Sequence, residues 1–123
     1  MGNHVVMLNL KKTKYVPESV IVITGASSGM GKELAYRYAQ RGAKIVIGSR
    51  SLDKLQEIAE DCNARFPHSK VIPVKTDVTV EEECKNLIDK AIEHFQRIDI
   101  LILNAGISAH ALFEDVPDMK IFH

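Results

Sequence analysis

The sequence is short of several features that mark particular classes of protein. It contains only two cysteines, Cys62 and Cys84, and both fall on predicted helices, so we expect buried free thiols rather than a disulfide. Lysine plus arginine equals aspartate plus glutamate at 16 each, so the net charge is zero and gives no argument for a nucleic-acid partner. The sequence shows no internal repeat and no low-complexity segment.

Long apolar runs are absent as well. The longest, such as 20–23 and 100–103, have four or five residues, whereas a bilayer span needs roughly 20. The N-terminal stretch has too short an apolar run for a signal peptide, and Val6 stands where a myristoylation site needs Ser or Thr. We therefore expect an intracellular, soluble, cytoplasmic protein with no membrane span.

The chain, at 123 residues, is long enough for one domain with one hydrophobic core. Residues 1–18 are weakly patterned and predict a lead-in segment, whereas residues 19–123 alternate between strand and helix patterns. Pro73 cannot donate a ladder hydrogen bond, so the strand that contains it is expected at a sheet edge. Asp118, after Pro117, could begin one more helix. The four predicted strands cover residues 19–24, 43–48, 70–75 and 98–103.

Capping signals bound the predicted helices between these strands. Gly42 is a natural C-terminal cap for a helix over 29–41. Ser51 can cap the second helix, and Thr79-Val80-Glu81-Glu82 has the spacing of a capping box before the third. Apolar residues then recur at helical spacing from Cys84 to Phe95, which predicts one buried face.

Strands that alternate with helices predict an α/β fold with a parallel sheet and right-handed crossovers. We expect a Rossmann-like doubly wound sheet with strand order 3-2-1-4 that stops after the fourth strand. Ligands of such sheets bind at the carboxyl ends of strands 1 and 4, where the winding reverses.

A glycine-rich turn follows the first predicted strand at this position. Gly25 permits a tight turn, Gly29 lets the backbone approach a pyrophosphate, and Gly31 lets the helix pack closely. Ser27 and Ser28 add hydroxyl donors, and the helix N-terminus offers unpaired N–H groups and a positive dipole end. The alternative is a turn that only joins a strand to a helix, but its place between a buried strand and an amphipathic helix favours dinucleotide binding.

Three motifs in the expected order make the chain similar to the short-chain dehydrogenase/reductase family. The stretch "TGASSGMG" (24–31) resembles the Thr-Gly-x-x-x-Gly-x-Gly signature of that family. The stretch "LNAG" (103–106) resembles its Asn-Asn-Ala-Gly motif with Leu103 in place of the first Asn, and Asp77-Val78 resembles its adenine-contacting pair. The resemblance covers residues 19–123. The stretches "RS" (50–51) after the second strand and "LILN" (101–104) in the fourth resemble the hydroxysteroid-dehydrogenase-like branch.

The resemblance implies that Asp77 accepts a hydrogen bond from the adenine amino group and that the 104–106 loop lies against the nicotinamide ribose. Asp77 could instead only satisfy nearby backbone N–H groups, and the loop could be a plain strand-ending turn. The full set of predicted cofactor-binding residues is Gly25, Ser27, Ser28, Gly29, Met30, Gly31, Arg50, Ser51, Asp77, Val78, Asn104, Ala105 and Gly106.

The end of the second predicted strand indicates which cofactor is preferred. An acidic side chain there would bind the free ribose 2′-hydroxyl of NAD, but the stretch 48–51, "GSRS", contains none. Arg50 has instead a planar guanidinium that suits a phosphate, and it is flanked by the hydroxyls of Ser49 and Ser51. We therefore predict NADP(H) in preference to NAD(H); the alternative is that Arg50 is only solvated and Ser51 only a helix cap.

The residues that the family uses for hydride transfer are not found in this sequence. The resemblance implies a Ser, a Tyr-x-x-x-Lys pair and a further Asn, but none of the three tyrosines is followed by Lys four positions later. We predict no catalytic residue, and the five histidines lack metal-ligand spacing. The chain is thus interpreted as the cofactor-binding half of an oxidoreductase that acts on an alcohol or carbonyl substrate only in a full-length form.

The fourth predicted strand, at 98–103, would be an apolar sheet edge if the sheet stopped there. Such an edge favours pairing with another chain, so a homo- or hetero-oligomer through it is expected. Two other hypotheses stay open, a stand-alone nucleotide-binding module and an interaction module that interferes with the assembly of a full-length relative.

Overall fold

The computed structural model describes residues 18–104, together with the backbones of two further strands at 5–9 and 119–122. The predicted alternation of strands and helices is confirmed to within two residues at each compared boundary. The elements in chain order are β1 Val5–Asn9, β2 Val20–Thr24, α1 Gly29–Gln40, β3 Lys44–Ser49, α2 Leu52–Arg65, β4 Lys70–Lys75, α3 Glu81–Phe95, β5 Ile100–Leu103 and β6 Met119–Phe122.

The strands form one sheet in the order β4-β3-β2-β5-β1-β6. The pairs β4–β3, β3–β2 and β2–β5 are parallel, with Val22 opposite both Val46 and Leu101. This parallel part is the predicted 3-2-1-4 order, so the Rossmann-like doubly wound fold is confirmed. The strand that contains Pro73, β4, lies at the sheet edge as predicted.

The side chains of the parallel strands alternate between two cores, one on each face of the sheet. Ile21, Ile23, Ile45 and Ile47 pack with the buried faces of α1 and α2. Val22, Val46 and Leu101 point to the opposite face and pack with α3. Each fully buried residue of this size contributes about 1.5–3 kcal/mol of hydrophobic stabilisation. Helices on both faces therefore fix the strand ends that form the site.

Two apolar residues within the helices are exposed. Met30, in the first turn of α1, is 46% exposed, and Ile92 of α3 is 44% exposed. Ile92 lies roughly 80° around the helix from Cys84, at the margin of the buried stripe, because successive residues turn by about 100°. Cys84 and Cys62 are buried free thiols, as predicted.

The helix ends agree with the sequence only in part. Gly42 has a φ of +84°, and its N–H donates to the Ala39 carbonyl, so the glycine ends α1 as predicted. Ser51 stands at the N-cap of α2 without a side-chain capping bond. The predicted capping box at Thr79 is wrong, because the N-cap of α3 is Val80 and its side chain makes no capping bond.

Two predictions about the chain ends are corrected by the sheet. The expected loose lead-in contains β1, which pairs antiparallel with β5 over Val6–Leu103 to Asn9–Ile100. The outer edge of β5 is therefore covered, and the predicted oligomer through an exposed edge loses its basis. Residues 119–122, which follow the predicted helix start at Asp118, form β6 against β1; Asp118 itself lies outside the described residues.

A buried carboxylate joins β5 to β2. Asp99 is 3% exposed, and its Oδ2 accepts a hydrogen bond of 2.8 Å from the Val20 N–H. The Asp99 N–H donates to the Val20 carbonyl at 2.9 Å, and Arg97 Nε donates to Asp99 Oδ1 at 3.0 Å. These bonds fix the start of β5 beside the start of β2, which sets the register of their carboxyl ends.

Candidate functional site

The carboxyl ends of the four parallel strands meet at one edge of the sheet and border a cleft of about 400 Å³. This is the position that the winding of the sheet predicts for a ligand. Seven of the predicted site residues line it together with three residues that were not predicted as site residues. The lining residues are Gly25, Ser27, Ser49, Arg50, Ser51, Thr76, Asp77, Val78, Thr79 and Asn104.

The turn after β2 requires glycine at two positions for reasons of space. Gly25 has a φ of +64°, and a Cβ added there would stand 1.8 Å from the Asn104 carbonyl oxygen. A Cβ at Gly31 would stand 2.3 Å from the Gly25 carbonyl oxygen and 2.7 Å from Asn104 Nδ2. Gly31 thus lets the first turn of α1 approach the strand ends, as the sequence predicted.

Gly29 differs from the other two glycines because its surroundings are open. Its φ is +58°, and a Cβ built there meets nothing within 4 Å among the described residues. The glycine therefore leaves free space in front of the N-terminus of α1. The unpaired N–H groups and the positive dipole end of a helix N-terminus favour an anion in such a space.

The remaining members of the glycine-rich turn lie at different places. Ser27 lines the cleft, whereas Ser28 is the N-cap of α1, is exposed and makes no side-chain capping bond. Four of the predicted residues of this turn are not among those that line the cleft: Ser28, Gly29, the exposed Met30 and Gly31. The predicted site residues Ala105 and Gly106 lie outside the described residues.

Arg50 stands at the cleft directly after β3. Its side chain is exposed, and its positive charge contributes to lowering the pKa of the Asp77 carboxyl. Ser51 N–H donates to Ser49 Oγ at 3.1 Å, which holds the backbone on both sides of Arg50. A cation with two hydroxyl side chains beside it, and no carboxylate within 48–51, is suited to a phosphate group.

Asp77 lines the same cleft, in the loop after β4. Its Oδ1 accepts hydrogen bonds from Thr79 Oγ1 at 2.6 Å and from Thr79 N–H at 2.9 Å. These two bonds are the main reason that the pKa of the Asp77 carboxyl lies below its usual value, with Arg50 adding to them. The Asp77 N–H donates to Glu83 Oε1 at 2.9 Å. The side chain is therefore ionised and held in one orientation at neutral pH.

Asn104 joins the end of β5 to the glycine-rich turn. Its N–H donates to Thr24 Oγ1 at 3.1 Å, and its Nδ2 donates to the Gly25 carbonyl at 3.3 Å. The side chain thus holds the ends of β2 and β5 together beside the cleft.

Three cleft residues, Ser49, Thr76 and Thr79, were not among the predicted site residues, although Ser49 was noted as a hydroxyl beside Arg50 and Thr79 as a helix cap. Thr76 N–H donates to the Ser49 carbonyl at 2.7 Å, which continues the β3–β4 ladder by one pair. Thr76 Oγ1 would lie 3.0 Å from a Cβ at Gly48. The signal that could have found the first two is position alone, since each ends a parallel strand whose carboxyl end was predicted at the site.

A second cavity of about 530 Å³ lies between α1 and α2. On its wall Tyr36 Oη donates to Asp61 Oδ2 at 2.6 Å, and desolvation together with this bond raises the pKa of Tyr36 to about 12. Lys32 and Lys54 line the cavity, but so do Glu57 and Asp61, so its charge is mixed. No group of three or more metal-binding side chains occurs in the part of the chain that the structure describes, and no helix there is long and apolar enough to cross a membrane.

Curated relatives with hydroxysteroid-dehydrogenase names match most of the chain. The chain is 45% identical over 105 residues to 11-beta-hydroxysteroid dehydrogenase A of Sesamum indicum, covering 85% of this chain and 30% of that protein. It is 39% identical over 110 residues to 11-beta-hydroxysteroid dehydrogenase-like 4A of Arabidopsis thaliana, covering 89% of this chain and 36% of that protein. The chain therefore spans about a third of the length of these relatives.

Solved structures are similar in fold and sequence. Hydroxysteroid dehydrogenase from Escherichia coli has a TM-score of 0.69 at 31% identity, covering 74% of this chain and 38% of its own. L-sorbose reductase from Gluconobacter frateurii, complexed with NADPH and L-sorbose, has a TM-score of 0.65 at 33% identity, covering 68% and 32%. A short-chain dehydrogenase/reductase from Burkholderia phymatum, in complex with NAD, has a TM-score of 0.66 at 31% identity, covering 70% and 30%.

The family model described as short chain dehydrogenase matches residues 19–123, which include the glycine-rich turn, the Asp77 loop and the end of β5. The chain belongs to the short-chain dehydrogenase family.

Proposed function

We propose that this chain is the NADP(H)-binding part of a short-chain dehydrogenase oxidoreductase. In the whole protein, hydride would pass between the nicotinamide ring and an alcohol or carbonyl substrate. The observation that carries the proposal is the position of Arg50 in the cleft at the carboxyl end of β3. Similar solved structures hold NADPH and NAD, which supports a nicotinamide dinucleotide as the cofactor.

The cleft and the N-terminus of α1 together offer a partner for each part of such a cofactor. The open space at Gly29 suits the pyrophosphate, since the N-terminus of α1 faces it. The ionised carboxylate of Asp77 suits the amino group of adenine, which is a hydrogen-bond donor. Asn104, with Ala105 and Gly106 following it, is at the β5 end of the cleft and would lie beside the nicotinamide ribose.

The choice between the two cofactors depends on one phosphate group. NADP(H) carries a 2′-phosphate on the adenosine ribose, whereas NAD(H) has a hydroxyl there. Arg50 supplies positive charge and several N–H donors close enough to Asp77 to lower its pKa, and Ser51 adds a hydroxyl. The 2′-hydroxyl of NAD(H) would find no acidic hydrogen-bond acceptor within 48–51, so NADP(H) is the favoured cofactor.

The direct test is titration of the chain and of Arg50→Ala with NADPH and with NADH by calorimetry. The variant should bind NADPH about 10–100-fold more weakly, because a bond to a charged group is worth about 1.5–3 kcal/mol. Its affinity for NADH should change less than about three-fold. Lys70→Ala is the matched control, since it removes one exposed positive charge from the opposite end of β4. Equal losses for both cofactors would contradict the role of Arg50.

We also propose that the chain by itself does not catalyse hydride transfer. Short-chain dehydrogenases use a tyrosine as the general acid and base, and its pKa must lie near the working pH. Tyr36, on α1, has a pKa of about 12 and donates to Asp61 of α2, and Tyr38 packs against the core on the same face of the sheet. Neither lines the cleft. Incubation with NADP⁺ and a panel of secondary alcohols should give no increase in absorbance at the NADPH band.

A second candidate function is a stand-alone nucleotide-binding module. The observation that favours it is the pairing of β1 along β5, which covers the sheet edge that would otherwise invite association. This function requires a monomer that binds NADPH without turnover. Size-exclusion chromatography of the chain with and without NADPH checks it, since elution as a large aggregate would contradict a self-sufficient module.

A further inference from the structure

We propose that Thr79 and Glu83 are positioning residues that hold the Asp77 carboxylate against the adenine base and so make the site selective for a 6-aminopurine. The inference rests on the proposed function and extends it to residues outside the recognised motifs. Neither residue was among the predicted site residues, and only Thr79 lines the cleft.

The two residues fix Asp77 from different sides. Thr79 donates two hydrogen bonds to a single carboxylate oxygen, Oδ1, at 2.6 Å and 2.9 Å. Glu83 Oε1 accepts from the Asp77 N–H at 2.9 Å, and the Asp77 carbonyl accepts from the Val80 N–H at 3.0 Å. The backbone and one side-chain oxygen of Asp77 are therefore all occupied.

The second carboxylate oxygen, Oδ2, is left for the ligand. Among residues 18–104, no hydrogen-bond donor contacts Asp77 Oδ2, although Asp77 lines the cleft. Because both Thr79 bonds go to Oδ1, rotation about the Cβ–Cγ bond is restricted and Oδ2 keeps one direction. An ionised oxygen can only accept, so its partner must be a donor such as an exocyclic amino group.

Glu83 acts on the same group through the backbone. It lies in the first turn of α3, where three glutamates follow one another, and it is the one whose side chain reaches back to Asp77. This bond holds the 77–80 loop against the N-terminus of α3, where a negative charge is also favoured by the helix dipole. Glu82 stands beside it in the same turn and is exposed, so it offers a matched control for charge alone.

The test compares NADPH with its hypoxanthine analogue, in which a carbonyl oxygen replaces the 6-amino group. Binding of both is measured by calorimetry on the chain, Thr79→Val, Thr79→Ser, Glu83→Ala and Glu82→Ala. The chain should bind NADPH about ten-fold or more tightly than the analogue, because the carboxylate would lose a donor and face an acceptor. Thr79→Val and Glu83→Ala should reduce this ratio to less than about three-fold, whereas Thr79→Ser and Glu82→Ala should keep it.

The outcomes separate this inference from the proposed function. Equal binding of NADPH and the analogue by the unmodified chain overturns the inference alone, and failure to bind NADPH overturns both. An unchanged ratio in Thr79→Val and Glu83→Ala, with weaker binding of both ligands, assigns the two residues a purely structural role and also overturns it. If Thr79→Val does not fold, Glu83→Ala decides the matter, since it leaves both Thr79 bonds in place.

Discussion

Gly25 and Gly29 form a pair of positions at which one added methyl group should have very different effects. Both have positive φ, +64° and +58°, so replacement by alanine places an L side chain in the left-handed region at each. That conformation costs about 1–2 kcal/mol per residue. The surroundings differ, because a Cβ at Gly25 stands 1.8 Å from the Asn104 carbonyl oxygen and a Cβ at Gly29 meets nothing within 4 Å among the described residues.

The clash at Gly25 sets the size of the expected difference. Carbon and oxygen must separate to at least 3.0 Å, so the Gly25→Ala backbone has to move by about 1.2 Å relative to Asn104. Overpacking of this kind costs about 1–3 kcal/mol, and the movement also strains the Asn104 Nδ2 bond to the Gly25 carbonyl. Gly25→Ala should therefore be destabilised by about 2–5 kcal/mol and Gly29→Ala by about 1–2 kcal/mol.

Urea unfolding followed by circular dichroism measures both variants against the unmodified chain. With a slope of about 1–3 kcal/mol/M, the midpoint for Gly25→Ala should fall on the order of 1 M below that for Gly29→Ala. Gly29→Ala should instead lose NADPH affinity by more than about ten-fold, since its methyl group occupies the space proposed for the pyrophosphate. Equal stability of the two variants, or full NADPH affinity in Gly29→Ala, would refute this account of the turn.

Three further outcomes are expected. The free energy of unfolding should fall as the pH rises from about 9 to 12, because the pKa values of Tyr36 and Cys62 are raised to about 12 and about 11 only in the folded state. In urea titrations at several pH values, Tyr36→Phe should show a smaller fall in this free energy. An identical fall would contradict the raised pKa of Tyr36. Asp99→Ala should have a free energy of unfolding about 1–3 kcal/mol lower in thermal melts, because the buried Val20 N–H loses its acceptor. A decrease of less than about 0.5 kcal/mol would contradict the stabilising role of this bond. Removal of residues 1–10 should cause association on size exclusion, because the outer edge of β5 becomes unpaired; a stable monomer would show that β1 is not needed to cover it.

The parallel part of the fold could be predicted because its strands are buried on both faces. A run such as 20–23 is continuously apolar, so the number of parallel strands follows from local pattern, and Pro73 marks an edge strand. The strand order came from the known arrangement of dinucleotide-binding sheets. The antiparallel strand β1 could not be predicted in this way. Its pairing with β5 joins residues almost 100 positions apart in sequence, and the apolar stretch at 5–8 carries no turn signal that identifies a partner.

At the site, the motifs indicated seven of the ten residues that line the cleft, but they did not indicate the bonds between them. Thr79 was expected to cap α3, yet its hydroxyl bonds to Asp77, and Glu83 rather than Glu82 reaches back to the loop. Glu83 accepts from the Asp77 N–H, whereas the Thr79 hydroxyl donates to the Asp77 carboxylate. Sequence spacing alone does not decide between these bonds and a capping box. Arg50 was placed in the cleft by the end of its strand, which is a property of the topology.

The measurement that tests the central claim most directly is a titration of the ¹⁵N-labelled chain with NADPH, followed by amide chemical shifts. The account predicts that the largest shifts occur at the cleft residues Gly25, Ser27, Arg50 and Ser51, in the Asp77 loop, and at Gly29 in front of the α1 N-terminus, with Lys70 unchanged. NADH should move the glycine-rich turn but shift Arg50 and Ser51 less, because it lacks the 2′-phosphate. Shifts confined to the cavity between α1 and α2, or no shifts with NADPH at millimolar concentration, would contradict the proposal that this edge of the sheet binds the cofactor.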